Sequence, residues 1–154
     1  MATPTCALIV DDEQHVRMYL KLLLRELGIT LTWEADNGAK GVELAVQNKP
    51  ELILMDINLP VKSGLEALEE IQRLEPGMPV VMITGQSSMA AVRDAANLGA
   101  VGYILKHHPK SIALRELRGI MALLDDEAPG PEGAAGAPGG GPPPLPGGPP
   151  PLPR

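Results

Sequence analysis

Leu8-Ile9-Val10-Asp11-Asp12-Glu13 is the stretch on which the reading of this chain turns. Residues 7–10 are aliphatic without polar alternation, which predicts a short strand buried on both faces. The strand stops at adjacent carboxylates, and a helical pattern begins at once. A second apolar run, Leu52-Ile53-Leu54-Met55, ends in the same way at Asp56. Carboxylates gathered at strand ends repel one another, so their proximity costs free energy unless positive charge sits among them. A hard divalent cation held by oxygen ligands meets that need, and Mg²⁺ is the one most often paired with phosphate chemistry.

Working outward, short runs rich in Val, Ile, Leu and Met occupy 80–83 and 101–105, and Ile29 to Ala35 is a weaker strand pattern containing Trp33. Helical periodicity separates them. Val16, Leu20, Leu23, Leu24 and Leu27 form one apolar stripe, with Gly28 placed to stop it. Val42 to Val46, Leu65 to Leu74, Met89 to Leu98 and Ile112 to Leu124 supply four more. Five strands alternating with five helices predict an α/β fold, a parallel sheet with helices on both faces. Right-handed crossovers make it doubly wound, with expected strand order 2-1-3-4-5. That order sets the first and third strands side by side, so Asp11, Asp12 and Asp56 meet at the carboxyl edge, where such sheets bind ligands.

The chain has 154 residues, 44% of them hydrophobic, which suits one ordinary domain. With no Phe, one Trp and two Tyr, its core must be aliphatic. The formal charge of -6 lacks the basic footprint of a nucleic-acid binder. Cys6, the only cysteine, argues against a disulfide framework and fits a reducing compartment. No apolar run approaches the ~20 residues of a membrane span, and residues 1–5 lack the marks of a signal peptide, so the expected location is cytoplasmic.

Composition breaks after Glu127. Of the 27 residues 128–154, 11 are Pro and 8 are Gly. The expected organisation is a globular domain over 1–127 and a disordered Pro/Gly-rich tail over 128–154. Pro-Pro-Pro-Leu-Pro occurs twice in the tail, at 142–146 and 149–153. Two readings stand open for it, a polyproline II ligand for an aromatic-lined partner or an inert biased segment. Such a tail cannot form a helix-turn-helix and the acidic domain is a poor match to DNA, so neither direct DNA binding nor a membrane is expected.

Two more strand ends carry polar groups to the same edge. The fourth ends in Thr84-Gly85 and the fifth in Lys106. Carboxylates, a hydroxyl and an ammonium together suit a site for Mg²⁺ and an anionic phosphoryl group.

Residues 6 to about 125 resemble a response-regulator receiver domain, the phosphorylatable half of two-component signalling, in the single-domain form of the chemotaxis regulators. The resemblance rests on Val10-Asp11-Asp12-Glu13, on Asp56-Ile57-Asn58-Leu59-Pro60 with Ser63-Gly64, on Thr84-Gly85, and on Tyr103 three residues before Lys106. It implies a flavodoxin-like version of the fold above. It also implies that Asp56 is the phosphoacceptor, taking a phosphoryl group from a sensor histidine kinase or phosphotransfer protein. Asp12 and Asp56 would then ligate Mg²⁺ directly, with the Asn58 backbone carbonyl as a third oxygen and Asp11 acting through water. Lys106 and Thr84 would contact the phosphoryl oxygens, and Thr84 and Tyr103 would form the switch. A downstream protein would read the face of the fourth helix, fifth strand and fifth helix.

The chain leaves that pattern after Lys106, where the family usually has Pro and this sequence has His107. A cis bond before a non-proline residue costs ~2.5–4 kcal/mol, so a trans Lys106–His107 bond is expected. Pro109 is expected near the start of the last helix, where its missing N–H is harmless.

Each motif alone has a plainer reading. Asp-Asp can cap a helix, Thr-Gly can be turn chemistry, Tyr103 can be core, His107-His108 a solvated loop, and Glu66, Glu69 and Glu70 an exposed helix face. Their convergence at one edge is what favours a site. Two functional rivals remain. One is a pseudo-receiver that acts as a protein-interaction module without phosphate. The other is a Mg²⁺-dependent phosphohydrolase of the haloacid-dehalogenase type, which needs a second Asp two residues after the nucleophile, where this chain has Asn58. A receiver modifies itself and is expected not to be an enzyme acting on an external substrate.

Overall fold

Strand β1 (Cys6–Val10) lies between β2 (Leu31–Ala35) and β3 (Ile53–Asp56), and β4 (Val80–Thr84) and β5 (Gly102–Leu105) follow outward. All four pairings are parallel, and the order is β2-β1-β3-β4-β5. Helices α1 (Gln14–Glu26), α2 (Gly38–Asn48), α3 (Gly64–Leu74), α4 (Met89–Asn97) and α5 (Lys110–Glu127) form the crossovers and the final layer. This computed structural model describes residues 4–85, 89–106 and 108–127. His107 and residues 128–154, and with them the expectations for the Lys106–His107 bond and for the tail, lie outside the described residues.

The period of two along each strand divides the core between two layers. Ala7, Ile9, Leu54, Val81, Ile83 and Ile104 face α1 and α5, meeting Leu20, Leu23, Leu24, Leu117 and Ile120. Leu8, Val10, Ile53, Met55, Val80 and Met82 face the other way, meeting Val42, Ala45, Leu68, Ile71 and Ala95 of α2, α3 and α4. Because both faces are covered, residues 7–10, 53–55 and 80–83 of the central strands are buried and apolar, as their uninterrupted runs require. No described helix is long and apolar enough to cross a membrane.

Strand bounds differ from the sequence expectation by one or two residues: Leu52 and Val101 fall just outside β3 and β5, β1 takes in Cys6, β4 takes in Thr84, and β2 begins at Leu31 and not at Ile29. The Gly28 N–H bonds the Arg25 carbonyl at 3.0 Å and the Ile29 N–H bonds the Leu24 carbonyl at 2.8 Å, with Gly28 at a φ of 92°. This closes α1 in a Schellman turn. The Ile29 backbone is thus spent on the helix end, while its side chain is buried in the core.

Candidate functional site

The strand register brings the polar residues together. Val10 pairs with Met55, so Asp11 and Asp56, one residue further along each strand, are neighbours. By side-chain alternation Asp11, Asp56 and Lys106 share the sheet face that packs on α1 and α5. Thr84 and Tyr103 share the opposite face, where Tyr103, half-buried, packs with the α2–α3–α4 core.

Asp11, Asp12 and Asp56 each offer a carboxylate oxygen within 4.8 Å of the others. Asp11 and Asp56 are 0% and 3% exposed, and Asp12 is open to solvent. Lys106 Nζ lies 2.9 Å from Asp11 Oδ2 and donates to Asp56 Oδ2 at 3.0 Å. Asp11 Oδ2 is buried and meets the Lys106 ammonium as an ion pair. The Asn58 N–H donates to Asp56 Oδ1 at 3.2 Å. Lys106 is aimed through its own backbone, its N–H bonding the Thr84 carbonyl at 2.8 Å.

Three carboxylates face one ammonium, so negative charge is in excess. Burial raises the pKa of Asp56, and the like charge of Asp11 adds to that; Lys106 and the Asn58 N–H only partly oppose it. Burial alone would lower the pKa of Lys106, but Asp11 and Asp56 together outweigh it and hold the ammonium above the ordinary lysine range. The donor set is all oxygen, partly open and undercompensated, which fits a hard divalent cation. Asp11 Oδ2, buried and sharing one ammonium with Asp56, is the observation that most directly supports that fit.

The loop after β3 is fixed by its own chemistry. Ser63 and Glu66 form a reciprocal capping box at the start of α3, through Ser63 N–H to Glu66 Oε1 at 3.1 Å and Glu66 N–H to Ser63 Oγ at 3.2 Å. Glu66 is therefore a cap as well as an exposed residue, and Glu70 pairs with Lys62 at 2.8 Å. Gly64 packs on the Asp56–Ile57 backbone so closely that any Cβ would collide with it. At the far end of the site, Pro109 accepts from the Ile112 and Ala113 N–H groups at 3.0 Å and opens α5, as its position predicted.

All the acidic and basic residues expected at the site meet there. Two participants were not anticipated in these roles. Glu13 places Oε1 3.3 Å from Lys106 Nζ. Arg17 donates from Nη1 to the Asp11 carbonyl at 2.6 Å and from Nε to Glu34 Oε1 at 3.0 Å. The signal for Arg17 is its position one turn into α1, from which a helical side chain slants back toward the preceding turn.

Residues 7–118 match the response regulator receiver domain family. The chain belongs to this family. It is 38% identical over 134 residues to the transcriptional regulatory protein PdtaR of Mycobacterium tuberculosis, covering 82% of this chain and 65% of that one. It is 32% identical over 113 residues to the chemotaxis protein CheY of Thermotoga maritima, covering 73% of this chain and 94% of that one. A CheY-like receiver domain structure from Methanospirillum hungatei superposes with a TM-score of 0.73 at 29% identity, covering 81% of this chain and 99% of that one. The chain spans 55% to 65% of the length of the transcription regulators it matches. A receiver domain of this family is a signalling module of two-component systems, and the shared fold is the five-stranded parallel sheet described above.

Proposed function

We propose that the chain is a phosphoacceptor response regulator in which Asp56 takes a phosphoryl group from a sensor histidine kinase or phosphotransfer protein. The observation that carries this reading is a nearly buried Asp56 carboxylate, bonded by Lys106 at 3.0 Å and flanked by Asp11 and Asp12. An Asp56 oxygen attacks the phosphorus of a phosphohistidine, the P–N bond breaks, and the electron pair leaves with the imidazole nitrogen. Asp12 and Asp56 would hold Mg²⁺, with Asp11 assisting through water and the Asn58 carbonyl as a further backbone oxygen, and the ion would there supply positive charge against the carboxylates and the phosphoryl oxygens. Lys106 stays beside Asp56 and pairs with a phosphoryl oxygen, and the Thr84 hydroxyl bonds another.

Thr84 and Tyr103 lie on one face of adjacent strands, Met82 being paired with Tyr103 and Thr84 two residues further along. A move of Thr84 toward the phosphoryl group frees space that Tyr103 can fill, which alters the surface of α4, β5 and α5 for a downstream protein. The acidic charge favours a protein over DNA as that target, and the tail's Pro-Pro-Pro-Leu-Pro copies suit a polyproline-binding partner. The complete acidic set supports phosphate-dependent signalling over a pseudo-receiver, and Asn58 in place of an acid/base carboxylate counts against a phosphohydrolase.

Beryllofluoride with Mg²⁺ mimics the acyl phosphate and tests the assignment. The thermal midpoint of the wild type should rise, because a ligand that binds only the folded state stabilises it. Asp56→Asn should show no such rise. Equal stabilisation of the two proteins would overturn the role of Asp56.

A further inference from the structure

The turn that carries Asp11 and Asp12 is held from three sides. The Asp11 N–H bonds the Ala35 carbonyl of β2 at 3.0 Å, and Asp11 Oδ1 accepts the Glu13 N–H at 2.8 Å. The third hold is the Arg17 guanidinium on the Asp11 carbonyl at 2.6 Å. That carbonyl belongs to the Asp11–Asp12 peptide, so the bond sets the plane from which Asp12 projects. Asp12 is the exposed member of the acidic cluster, and its direction follows from its backbone.

Arg17 is itself anchored. Its Nε donates to Glu34 Oε1 at 3.0 Å, and Lys21 pairs with Glu34 Oε2. Glu34 lies opposite Ile9 in the sheet register, so it faces α1. The Arg17 side chain is only 16% exposed, which shields these contacts from solvent. A planar guanidinium can satisfy a carbonyl and a carboxylate at once in a fixed geometry, which a lysine ammonium cannot do with the same rigidity.

From this arrangement we infer that Arg17 is a positioning residue for the metal site, anchored by Glu34 and orienting the Asp11–Asp12 peptide so that Asp12 meets the cation. The inference rests on the Mg²⁺ site proposed above. It makes a prediction opposite in sign to simple electrostatics. Arg17 is a positive charge near a cation site, and removing it as a charge should tighten Mg²⁺ binding. Removing it as a support should weaken binding, because partners that orient metal ligands typically carry about 10-fold or more in affinity.

The test is Mg²⁺ titration of the full chain, followed by amide chemical shifts and by the thermal midpoint, for wild type, Arg17→Met, Arg17→Lys and Lys21→Met. Lys21→Met is the charge control, since it removes a nearby cation that touches Glu34 but not the turn. Arg17→Met should bind Mg²⁺ about 10-fold more weakly, Arg17→Lys should fall between it and wild type, and Lys21→Met should bind no more weakly than wild type. Affinity in Arg17→Met equal to or tighter than wild type would overturn the inference. Should Arg17→Met fail to fold, Arg17→Lys decides, and wild-type affinity in that variant would overturn it. A wild type that takes up no Mg²⁺ would instead refute the proposed metal site. Hydrogen exchange of the Glu13 amide in metal-free protein then reads the turn alone. Faster exchange in the Arg17 variants supports the positioning role, and unchanged exchange refutes it.

Discussion

Lys49 and Glu75 meet at 2.6 Å where α2 and α3 end, at the amino edge of the sheet; Lys106 and Asp56 meet at 3.0 Å at its carboxyl edge. The chemistry is the same and the separations are similar. Burial is not: the side chains are 63% and 24% exposed in the first pair, and 17% and 5% in the second. At the amino edge water screens both charges, so the pair is worth little and nothing depends on it. At the carboxyl edge desolvation and the neighbouring Asp11 work against Asp56, so the arrangement is costly by itself. The costly pair lies at the edge where open α/β sheets bind their ligands, and a cation or phosphoryl group bound there would offset the cost.

Removing Lys106 should have the largest effect. Lys106→Met leaves Asp11 and Asp56 facing each other without their cation. We expect it to lower stability by about 3 kcal/mol at neutral pH without Mg²⁺, measured by chemical denaturation. A loss no larger than that of Lys49→Met would mean that the two edges do not differ as described.

Asp56→Asn should act in the opposite direction, because it removes a buried charge that is in excess. A gain of about 1 kcal/mol in metal-free protein is expected, and a loss of that size would contradict the charge imbalance. The pH dependence sharpens the point. Because folding raises the Asp56 pKa, its contribution to stability is fully present below the ordinary aspartate value and is lost as pH rises through the raised value. The stability advantage of Asp56→Asn over wild type should therefore grow as pH rises across that window.

Glu34 should behave in reverse. Its hydrogen bond from Lys21, aided by Arg17, lowers its pKa against the opposing effect of burial. Its contribution is present above the ordinary glutamate value and disappears as pH falls through the lowered one. Glu34→Gln should therefore cost stability at neutral pH and nothing in acid, and paired denaturation curves across pH would show whether the two acids have opposite signs. The smallest effect belongs to the amino edge, where Lys49→Ala should change stability by about 0.5 kcal/mol or less.

The carboxyl edge was largely legible in the sequence. Uninterrupted aliphatic runs can be satisfied only by a sheet covered on both faces, and Asp11, Asp56 and Lys106 follow such runs directly, so strand order alone brings them together. Ile29 misleads because a buried aliphatic residue looks the same in a strand and in the turn that closes a helix; Gly28 marks the turn, but the local backbone bond from Ile29 to Leu24 leaves no trace in the apolar pattern. Arg17 was invisible for another reason. On a helix an arginine reads as solvated surface, and only the tertiary approach of β2, bringing Glu34 beside α1, turns it into a partner of the acidic turn. Glu66 read as surface because a capping box depends on where the helix starts, a boundary that sequence resolves poorly.

If the charge excess at the carboxyl edge serves acyl phosphorylation of Asp56, as proposed above, the modification is visible in the mass of the chain. Incubating the full chain with acetyl phosphate and Mg²⁺ and measuring its intact mass tests this directly. The wild type should gain the mass of one phosphoryl group, only when Mg²⁺ is present, and Asp56→Asn should gain none. A phosphoryl adduct on Asp56→Asn equal to that on wild type, or a wild type that stays unmodified under those conditions, would rule out Asp56 as the phosphoacceptor.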